Sequence, residues 1–315
     1  MTVQIIYPAD RTAWLDARKQ DVTASVAGAL LGIHPYQTPY GLWAEKSGRV
    51  ASDDRDNAVL RRGRLLEPVV IEMLREDRPD WTVEYRRDNA YYRHTDDRIG
   101  ATPDAFATRP DIYGTGIVQV KTVAEDKFRR DWVDADTGDV VLPLWIAVQA
   151  IVEAELTGAT WACAAVMLFG RGIELEIVDV PLNTRVMARL RREVREFWRM
   201  VDEGIEPSID WNRDGAAVGE VYRDSMPDRK DLTASEDFDL IVGRFAAARE
   251  TNRITSQQID ELRPRILHTL GAAETGFTLN WNITARTSVR TGPTGLPVKS
   301  RSLRIAPKEN PNARF

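Results

Sequence analysis

The sequence contains few of the residues that build disulfides and thiolate metal sites. It has one cysteine and three histidines in 315 residues. An intramolecular disulfide and a cysteine-based zinc or iron–sulfur site are therefore excluded. The histidines are scattered along the chain, which argues against a multi-histidine metal site. Cys163 lies in the apolar segment 161–170, where an unpaired cysteine is expected to be a small core residue.

Long hydrophobic runs are also missing. The longest uncharged stretch, 156–170, has 15 residues, which is shorter than the roughly 20 that a membrane-spanning helix needs. The first residues show no basic segment followed by an apolar run, so no secretory signal is expected. These absences predict a cytoplasmic protein with no membrane partner.

Acidic residues are scarce in one part of the chain. The formal net charge is −5, but residues 281–315 hold seven basic residues and a single acid. The basic residues are Arg286, Arg290, Lys299, Arg301, Arg304, Lys308 and Arg314, and the acid is Glu309. A basic segment on an acidic chain indicates either a nucleic-acid contact or a solvated basic surface.

Hydrophobic periodicity predicts an alternation of helices and strands. Helical patterns cover 8–20, 23–32, 40–46, 58–75, 142–156 and 183–203. Strand patterns cover 82–93, 99–107, 116–122, 160–169 and 173–180, and a charged loop is expected at 125–139. This order predicts an α/β fold with a mixed central sheet flanked by helices.

The chain is expected to fold as a core with an appended extension. Residues 1–205 form the core, and 206–234, which include Pro207 and Pro227, read as a linker. Residues 235–315 are expected to hold a helical pair, 235–248 and 256–270, with Pro264 kinking the second helix. Strands joined by a turn at 292–295 follow, and this basic β segment is predicted to contact DNA or to support oligomerisation.

Polar side chains with the chemistry of a metal site lie on the predicted strands. Asp104 ends one strand, and Gln119 and Lys121, two residues apart on the next, share one face of the sheet. Glu67 lies on the preceding helix and Gln149 on the following one. Hard divalent cations prefer oxygen ligands and activate bound water, and a lysine can orient that water and offset developing charge. The pattern indicates metal-assisted phosphodiester hydrolysis.

Five motifs follow one another between residues 10 and 203. They are Trp14…Arg18…Thr23-Ala24-Ser25, Gly63…Glu67-Pro68, Pro103-Asp104, Gln119-Val120-Lys121 and Gln149…Thr157-Gly158. In this order they resemble the YqaJ-type viral recombinase family, which includes lambda exonuclease and belongs to the PD-(D/E)xK nuclease superfamily. The resemblance implies a restriction-endonuclease-like core in which Pro103-Asp104 is the "PD" step.

The resemblance also implies a role for each matched residue. Asp104 and position 119 would bind Mg²⁺ together with the Val120 carbonyl, and Mn²⁺ would substitute. Glu67 would complete the acidic site, and Lys121 would be the catalytic lysine. The 5′ phosphate of DNA would be held by Arg18, Thr23 and Ser25. Gln149 would orient the attacking water or the scissile phosphate, although the family often has Q-x-Q where this chain has Gln149-Ala150-Ile151.

The implied function is that of a Mg²⁺-dependent 5′–3′ double-strand DNA exonuclease of phage recombination, which leaves 3′ single-strand overhangs. Members of the family assemble as trimeric or tetrameric rings around the duplex. Their usual partner is a single-strand annealing protein, and they are encoded by phages or prophages of bacterial hosts. Double-stranded DNA ends are therefore the expected substrate.

Position 119 departs from the family, which has a carboxylate there. An amide carries no charge and binds a divalent cation less well. Gln119 is either an engineered, inactivating change or a natural residue of a weaker or inactive nuclease. The presence of Asp104, Lys121 and Glu67 favours the engineered change. Two alternative functions stay open, namely a catalytically silent DNA-end-binding protein and a superfamily nuclease with endonuclease or repair duties.

Overall fold

A computed structural model describes residues 2–51, 58–86, 88–227, 229–291 and 297–308. The chain divides into two compact units, Met1–Ser225 and Met226–Phe315. Their boundary falls inside the segment 206–234, and the division of the chain into core, linker and extension stays a prediction. The predicted turn at 292–295 and the tail residues Glu309 and Arg314 lie outside the described residues.

The N-terminal unit mixes helices and strands. In chain order its elements are β1 (Val3–Ile6), α1 (Arg11–Lys19), β2 (Val22–Thr23), α2 (Ala24–Ala27), α3 (Pro39–Lys46), α4 (Ala58–Asp77), β3 (Thr82–Tyr85), β4 (Tyr91–His94), β5 (Ile99–Ala101), β6 (Ala105–Arg109), β7 (Ile112–Ala124), α5 (Glu125–Asp131), α6 (Leu144–Thr157), β8 (Trp161–Phe169), β9 (Ile173–Val180), α7 (Thr184–Glu203) and α8 (Gly215–Val221). None of the described helices has both the length and the apolar character of a bilayer-spanning segment.

A five-stranded mixed sheet is the centre of this unit. Its strand order is β3-β6-β7-β8-β9. Strands β7 and β8 are parallel, and the other neighbours are antiparallel. A second sheet has the order β1-β4-β5-β2, in which only β2 and β5 run parallel. The α/β fold with a mixed central sheet and flanking helices, which the sequence predicts, is confirmed.

Strand β7 packs against different helices on its two faces. Val118 and Val120 belong to a buried cluster with the α4 residues Val70, Ile71 and Leu74. Ile117 belongs instead to the cluster that contains the apolar residues of α6. Successive side chains of a strand point to opposite faces, so residues 119 and 121 lie on the α6 side with Ile117.

Two predicted strands are each interrupted in the structure. The pattern at 82–93 predicts one strand, but β3 and β4 are separate, and Asn89 between them has a φ of 49°. The pattern at 99–107 likewise divides into β5 and β6. Pro103 lies in the gap, and proline has no N–H to donate to a strand ladder. This interruption brings Asp104 to the start of β6.

The loop predicted at 125–139 begins with helix α5, so that prediction is wrong for its first half. Glu125 and Asp126 lie in the first turn of α5 and Arg129 and Arg130 in the last. Acids near the N-terminus and bases near the C-terminus of a helix interact favourably with its dipole. Charge placement therefore stabilises a helix that has little apolar periodicity.

The C-terminal unit contains one long helix and an antiparallel sheet. Its elements are α9 (Glu236–Leu270), β10 (Thr275–Phe277), β11 (Trp281–Thr291) and β12 (Pro297–Pro307), and the strand order is β10-β11-β12. The predicted helical pair is wrong, because α9 is continuous through 249–255. That segment contains neither glycine nor proline, the residues that most readily end a helix.

Gly116 on β7 allows the close approach of Trp161 on β8. A Cβ atom at position 116 would come within 2.1 Å of the Trp161 ring. The ring is held by Trp81, with 5.4 Å between centroids, and by the Arg109 guanidinium, 4.6 Å from the Trp161 centroid. A side chain at 116 would therefore push apart the parallel strand pair.

We expect Gly116→Ala to lower the free energy of unfolding by roughly 1–3 kcal/mol, the usual effect of overpacking a core. Gly219→Ala is the matched control, since a Cβ atom there meets none of the described residues within 4 Å. Urea unfolding of both variants measures the difference. Equal stability of the two variants would contradict the packing argument.

Candidate active site

The Asp104 carboxylate binds strand β7 at the point where β6 begins. Pairing between the two strands starts at Ala105 and Val118, so Val120 lies beyond the reach of β6. The Val120 N–H donates instead to Asp104 Oδ2 at 2.8 Å. Burial raises the pKa of Asp104, while the charge of Lys121 and the hydrogen bond from Val120 lower it.

Gln119 is almost fully buried beside this carboxylate, with 1% of its surface exposed. Its Nε2 donates a hydrogen bond to Asp104 Oδ2. Its Oε1 is buried and has no hydrogen-bond partner within the described part of the chain. Buried polar atoms normally have a partner, so an orphaned oxygen next to a carboxylate calls for a ligand or a water.

A row of hydrogen bonds links β7 to α6. Lys121 Nζ donates to Gln149 Oε1 at 3.3 Å, and Gln149 Nε2 donates to Glu153 Oε1 at 3.0 Å. Gln149 and Glu153 are 7% and 1% exposed. Because they are four residues apart, they lie on the same face of α6. The structure therefore places Lys121 and Gln149 together.

Glu67 on α4 approaches the same group of charges. Burial first, and the charge of Asp104 second, raise the pKa of Glu67 to about 7. A hydrogen bond from Tyr85 and the charge of Lys121 act in the opposite direction. Glu67 is thus in electrostatic contact with both Asp104 and Lys121.

These donors fit a hard divalent cation. The carboxylates of Asp104 and Glu67 lie near one another, and the orphaned Gln119 Oε1 is a further oxygen donor. Among the residues that the structure describes, no three His, Cys, Asp or Glu side chains form a metal-binding group. The third side-chain donor is thus an uncharged amide, which leaves the site with less negative charge than three carboxylates would provide.

Arg18, Thr23 and Ser25 form a second polar group. Arg18 Nη2 donates to Ser25 Oγ at 3.2 Å, and the Thr23 and Ser25 hydroxyls are 3.1 Å apart. The Arg18 guanidinium stacks on Trp14, 4.2 Å from the ring centroid. Trp14 Nε1 donates in turn to the Thr102 hydroxyl at 3.0 Å. Ser25 therefore contacts both of the other predicted phosphate-binding residues, Arg18 and Thr23, and the Arg18 guanidinium lies on the ring of Trp14.

Three residues of these groups were missed by sequence reasoning, namely Glu153, Tyr85 and Trp14's partner Thr102. A signal existed for Glu153, because it is a charged residue among the buried side chains of the apolar helix α6. No local pattern marks Tyr85 or Thr102, since both act through contacts with other elements.

The basic segment forms part of the β11–β12 hairpin. The strand register puts Arg286, Arg290 and Arg304 on one face of the hairpin, and all three side chains are exposed. Arg301 is different, because it donates to the backbone carbonyls of Gly271, Ala273 and Ala285. Arg301 therefore stabilises its own unit, whereas the three exposed arginines offer positive charge to a partner.

Comparison with known proteins gives a family model and a relative that match this chain. Residues 13–159 match the model of the YqaJ-like viral recombinase domain. The uncharacterized protein YqaJ of Bacillus subtilis (strain 168) is 25% identical over 277 residues, which cover 86% of this chain and 82% of that protein.

Solved structures give matches of lower identity. An alkaline exonuclease, LHK-Exo, from Laribacter hongkongensis is 18% identical, with a TM-score of 0.48, and the match covers 66% of this chain and 98% of the other. LHK-Exo in complex with dAMP is also 18% identical, with a TM-score of 0.46 and the same coverage.

The matched segment contains Arg18, Glu67, Asp104, Lys121 and Gln149, so the family model spans the polar groups described above. It ends just after helix α6. Residues 13–159, slightly less than half of the chain, are thus similar to the YqaJ-like viral recombinase domain.

Proposed function

We propose that the protein is a Mg²⁺-dependent 5′–3′ double-strand DNA exonuclease of phage recombination, which hydrolyses phosphodiester bonds and leaves 3′ overhangs. The observation that carries this proposal is that the Asp104 carboxylate hydrogen bonds to Gln119 and Val120 of β7, while the charge of Lys121, on the same face of β7 as Gln119, lowers the pKa of Asp104. An acid, an oxygen donor and a lysine at one position are the groups that metal-assisted phosphodiester hydrolysis requires.

Four residues would hold the cation. They are Asp104, Gln119 through Oε1, Val120 through its carbonyl, and Glu67 directly or through water. When bound, Mg²⁺ lowers the pKa of a coordinated water and withdraws charge from the phosphate, and Mn²⁺ is expected to substitute. Hard oxygen donors suit both ions.

Lys121 and Gln149 act on the reacting groups in this proposal. The Lys121 ammonium donates hydrogen bonds to the attacking water or the scissile phosphate and offsets the charge that develops there. Gln149 holds the ammonium in place through its Oε1. Gln149 would also orient the water or the phosphate.

The Arg18 group explains selectivity for a DNA end. A guanidinium beside two hydroxyls matches the oxygens of a terminal 5′ phosphate. Binding of that phosphate would place the first phosphodiester bond at Lys121, so cleavage would start at the end and release mononucleotides.

We further propose an oligomeric state, a partner protein and a cellular location. We infer a homo-oligomeric ring, trimeric or tetrameric, because a ring around the duplex retains the substrate between cleavages. A single-strand annealing protein would load on the exposed strand. The protein would act in the cytoplasm of a bacterial host and be encoded by a phage or prophage.

A second candidate function rests on Gln119. Without a carboxylate at this position the chain would bind a cation weakly, and it would then act as a catalytically silent protein that binds DNA ends. The Arg18 group and the exposed hairpin arginines support this alternative equally well.

We expect Gln119→Glu to lower the Mg²⁺ concentration needed for half-maximal cleavage by about tenfold or more, because the added carboxylate strengthens cation binding. The measurement is mononucleotide release from a linear duplex labelled at its 5′ end, compared with a 3′-labelled duplex, in Mg²⁺ and in EDTA. Gln4→Glu, an exposed change on β1, is the matched control.

The outcomes separate the candidate functions. If only Gln119→Glu cuts, the residue at position 119 inactivates this chain. If neither form cuts while both bind DNA ends, the protein is an end-binding protein and the exonuclease proposal is wrong. Cleavage of a circular duplex would instead indicate an endonuclease.

Arg18→Gln is expected to reduce the preference for a 5′-phosphorylated over a 5′-hydroxyl duplex by about tenfold, since hydrogen bonds to charged groups contribute about 1.5–3 kcal/mol. Competition binding with the two duplexes measures this preference. Arg11→Gln, on the exposed first turn of the same helix, is the control. An unchanged preference in Arg18→Gln would remove the residue from phosphate recognition.

A further inference from the structure

Glu153 is a buried carboxylate that has no role in the proposed mechanism. It is 1% exposed, and its Oε1 accepts a hydrogen bond from Gln149. Its Oε2 is buried with no hydrogen-bond partner among the described residues. An ionised carboxylate here lacks a donor at Oε2, and a protonated one lacks an acceptor. The surrounding protein therefore satisfies neither form, which is costly for a buried polar group.

The charges around Glu153 are those of the candidate active site. Its pKa lies well above the usual value because of burial first and the charge of Asp104 second. Lys121 and Arg18 act in the opposite direction. Glu67 is likewise in electrostatic contact with Asp104 and Lys121. The charge of Asp104 thus acts on two further carboxylates, Glu67 and Glu153, although position 119 contributes none.

We propose that Glu153 supplies the negative charge that Gln119 lacks, as a positioning residue whose Oε2 accepts a hydrogen bond from a cation-bound water. The inference rests on the proposed metal-dependent function. Mg²⁺ keeps several of its waters when it binds to proteins, and those waters need acceptors. Groups that hold metal ligands in this way are as much a part of a metal site as the ligands themselves.

Contact through water, not direct ligation, is what the arrangement supports. Within the described chain, no three acidic, imidazole or thiol side chains are close enough to form one metal-binding group. Glu153 lies instead behind Gln149, which hydrogen bonds to both Glu153 and Lys121. The carboxylate and the lysine are thereby held in a fixed relation on either side of Gln149.

With this role for Glu153, an amide at position 119 is compatible with cation binding. The negative charge would then come from Glu153 on helix α6 and not from strand β7, where the amide of Gln119 is an oxygen donor without charge. The chain as it stands is then expected to bind a divalent cation, and Glu153 is expected to be necessary for normal affinity.

The test is Mn²⁺ binding in the absence of DNA, followed by electron paramagnetic resonance of the free ion. We expect Glu153→Gln to lower Mn²⁺ affinity by about 10–100-fold, the usual effect of removing a group that holds a metal ligand. Glu155→Gln is the matched control, because Glu155 lies on the same helix but pairs with Arg191 at 3.0 Å. The Mn²⁺ affinity of the Glu155→Gln variant should equal that of the unaltered chain.

Rescue separates a charge role from a structural one. The double variant Gln119→Glu/Glu153→Gln returns the carboxylate to β7 and should recover most of the lost affinity. Thermal unfolding without metal should show Glu153→Gln to be no less stable than the unaltered chain, because a buried charge has been removed. If Glu153→Gln does not fold, Glu153→Asp replaces it, and a loss of affinity in a folded protein is expected.

Three results would contradict the role proposed for Glu153. Equal Mn²⁺ affinity of the unaltered chain and Glu153→Gln, with Gln119→Glu binding well, would overturn the role of Glu153 and leave the proposed function standing. Failure of every protein, including Gln119→Glu, to bind Mn²⁺ would overturn both. A stability loss in Glu153→Gln without a change in affinity would show that Glu153 is merely structural.

Discussion

The contact between the Asp104 carboxylate and the Val120 N–H is the interaction on which the site depends. Strand β6 stops short of Val120, and the side chain of Asp104 takes the place of the missing strand as hydrogen-bond acceptor. This contact fixes an acid against the stretch of β7 that presents Gln119 and Lys121 to helix α6. Pro103 lies in the gap between β5 and β6, where its missing N–H cannot take part in a strand ladder, and Asp104 follows it directly.

The second constraint is the burial of like charges. Burial raises the pKa values of Glu67, Asp104 and Glu153, and the charge of Asp104 raises those of Glu67 and Glu153 further, whereas the charge of Lys121 acts in the opposite direction on all three. A cluster of this kind destabilises the fold unless another positive charge joins it. Two buried oxygens, Gln119 Oε1 and Glu153 Oε2, have no hydrogen-bond partner within the part of the chain that the structure describes. A divalent cation with its waters would supply both the charge and the missing hydrogen bonds.

Much of the architecture could be predicted from the sequence, because it follows local patterns. The apolar stripe of α4, the apolar helix α6 and the strands β8 and β9 each lie within a few residues of their predicted positions. The errors have particular causes. A charged segment forms α5 through charge placement rather than apolar periodicity, and α9 continues where no residue ends it. The predicted strand at 82–93 is divided because Asn89 has a left-handed backbone conformation, which the alternation of apolar residues does not reveal.

The sequence alone determined which residue types were available: one cysteine, scattered histidines, the order of the five motifs and an amide at position 119. It also placed Gln119 and Lys121 on one face, since strand side chains alternate. The tertiary structure decided that Glu153 lies behind Gln149, that Tyr85 reaches Glu67, and that Gln119 Oε1 has no hydrogen-bond partner among the described residues. The physical reason is distance along the chain. Periodicity is set by neighbouring residues, whereas the satisfaction of a buried polar atom depends on which distant helices and strands pack around it.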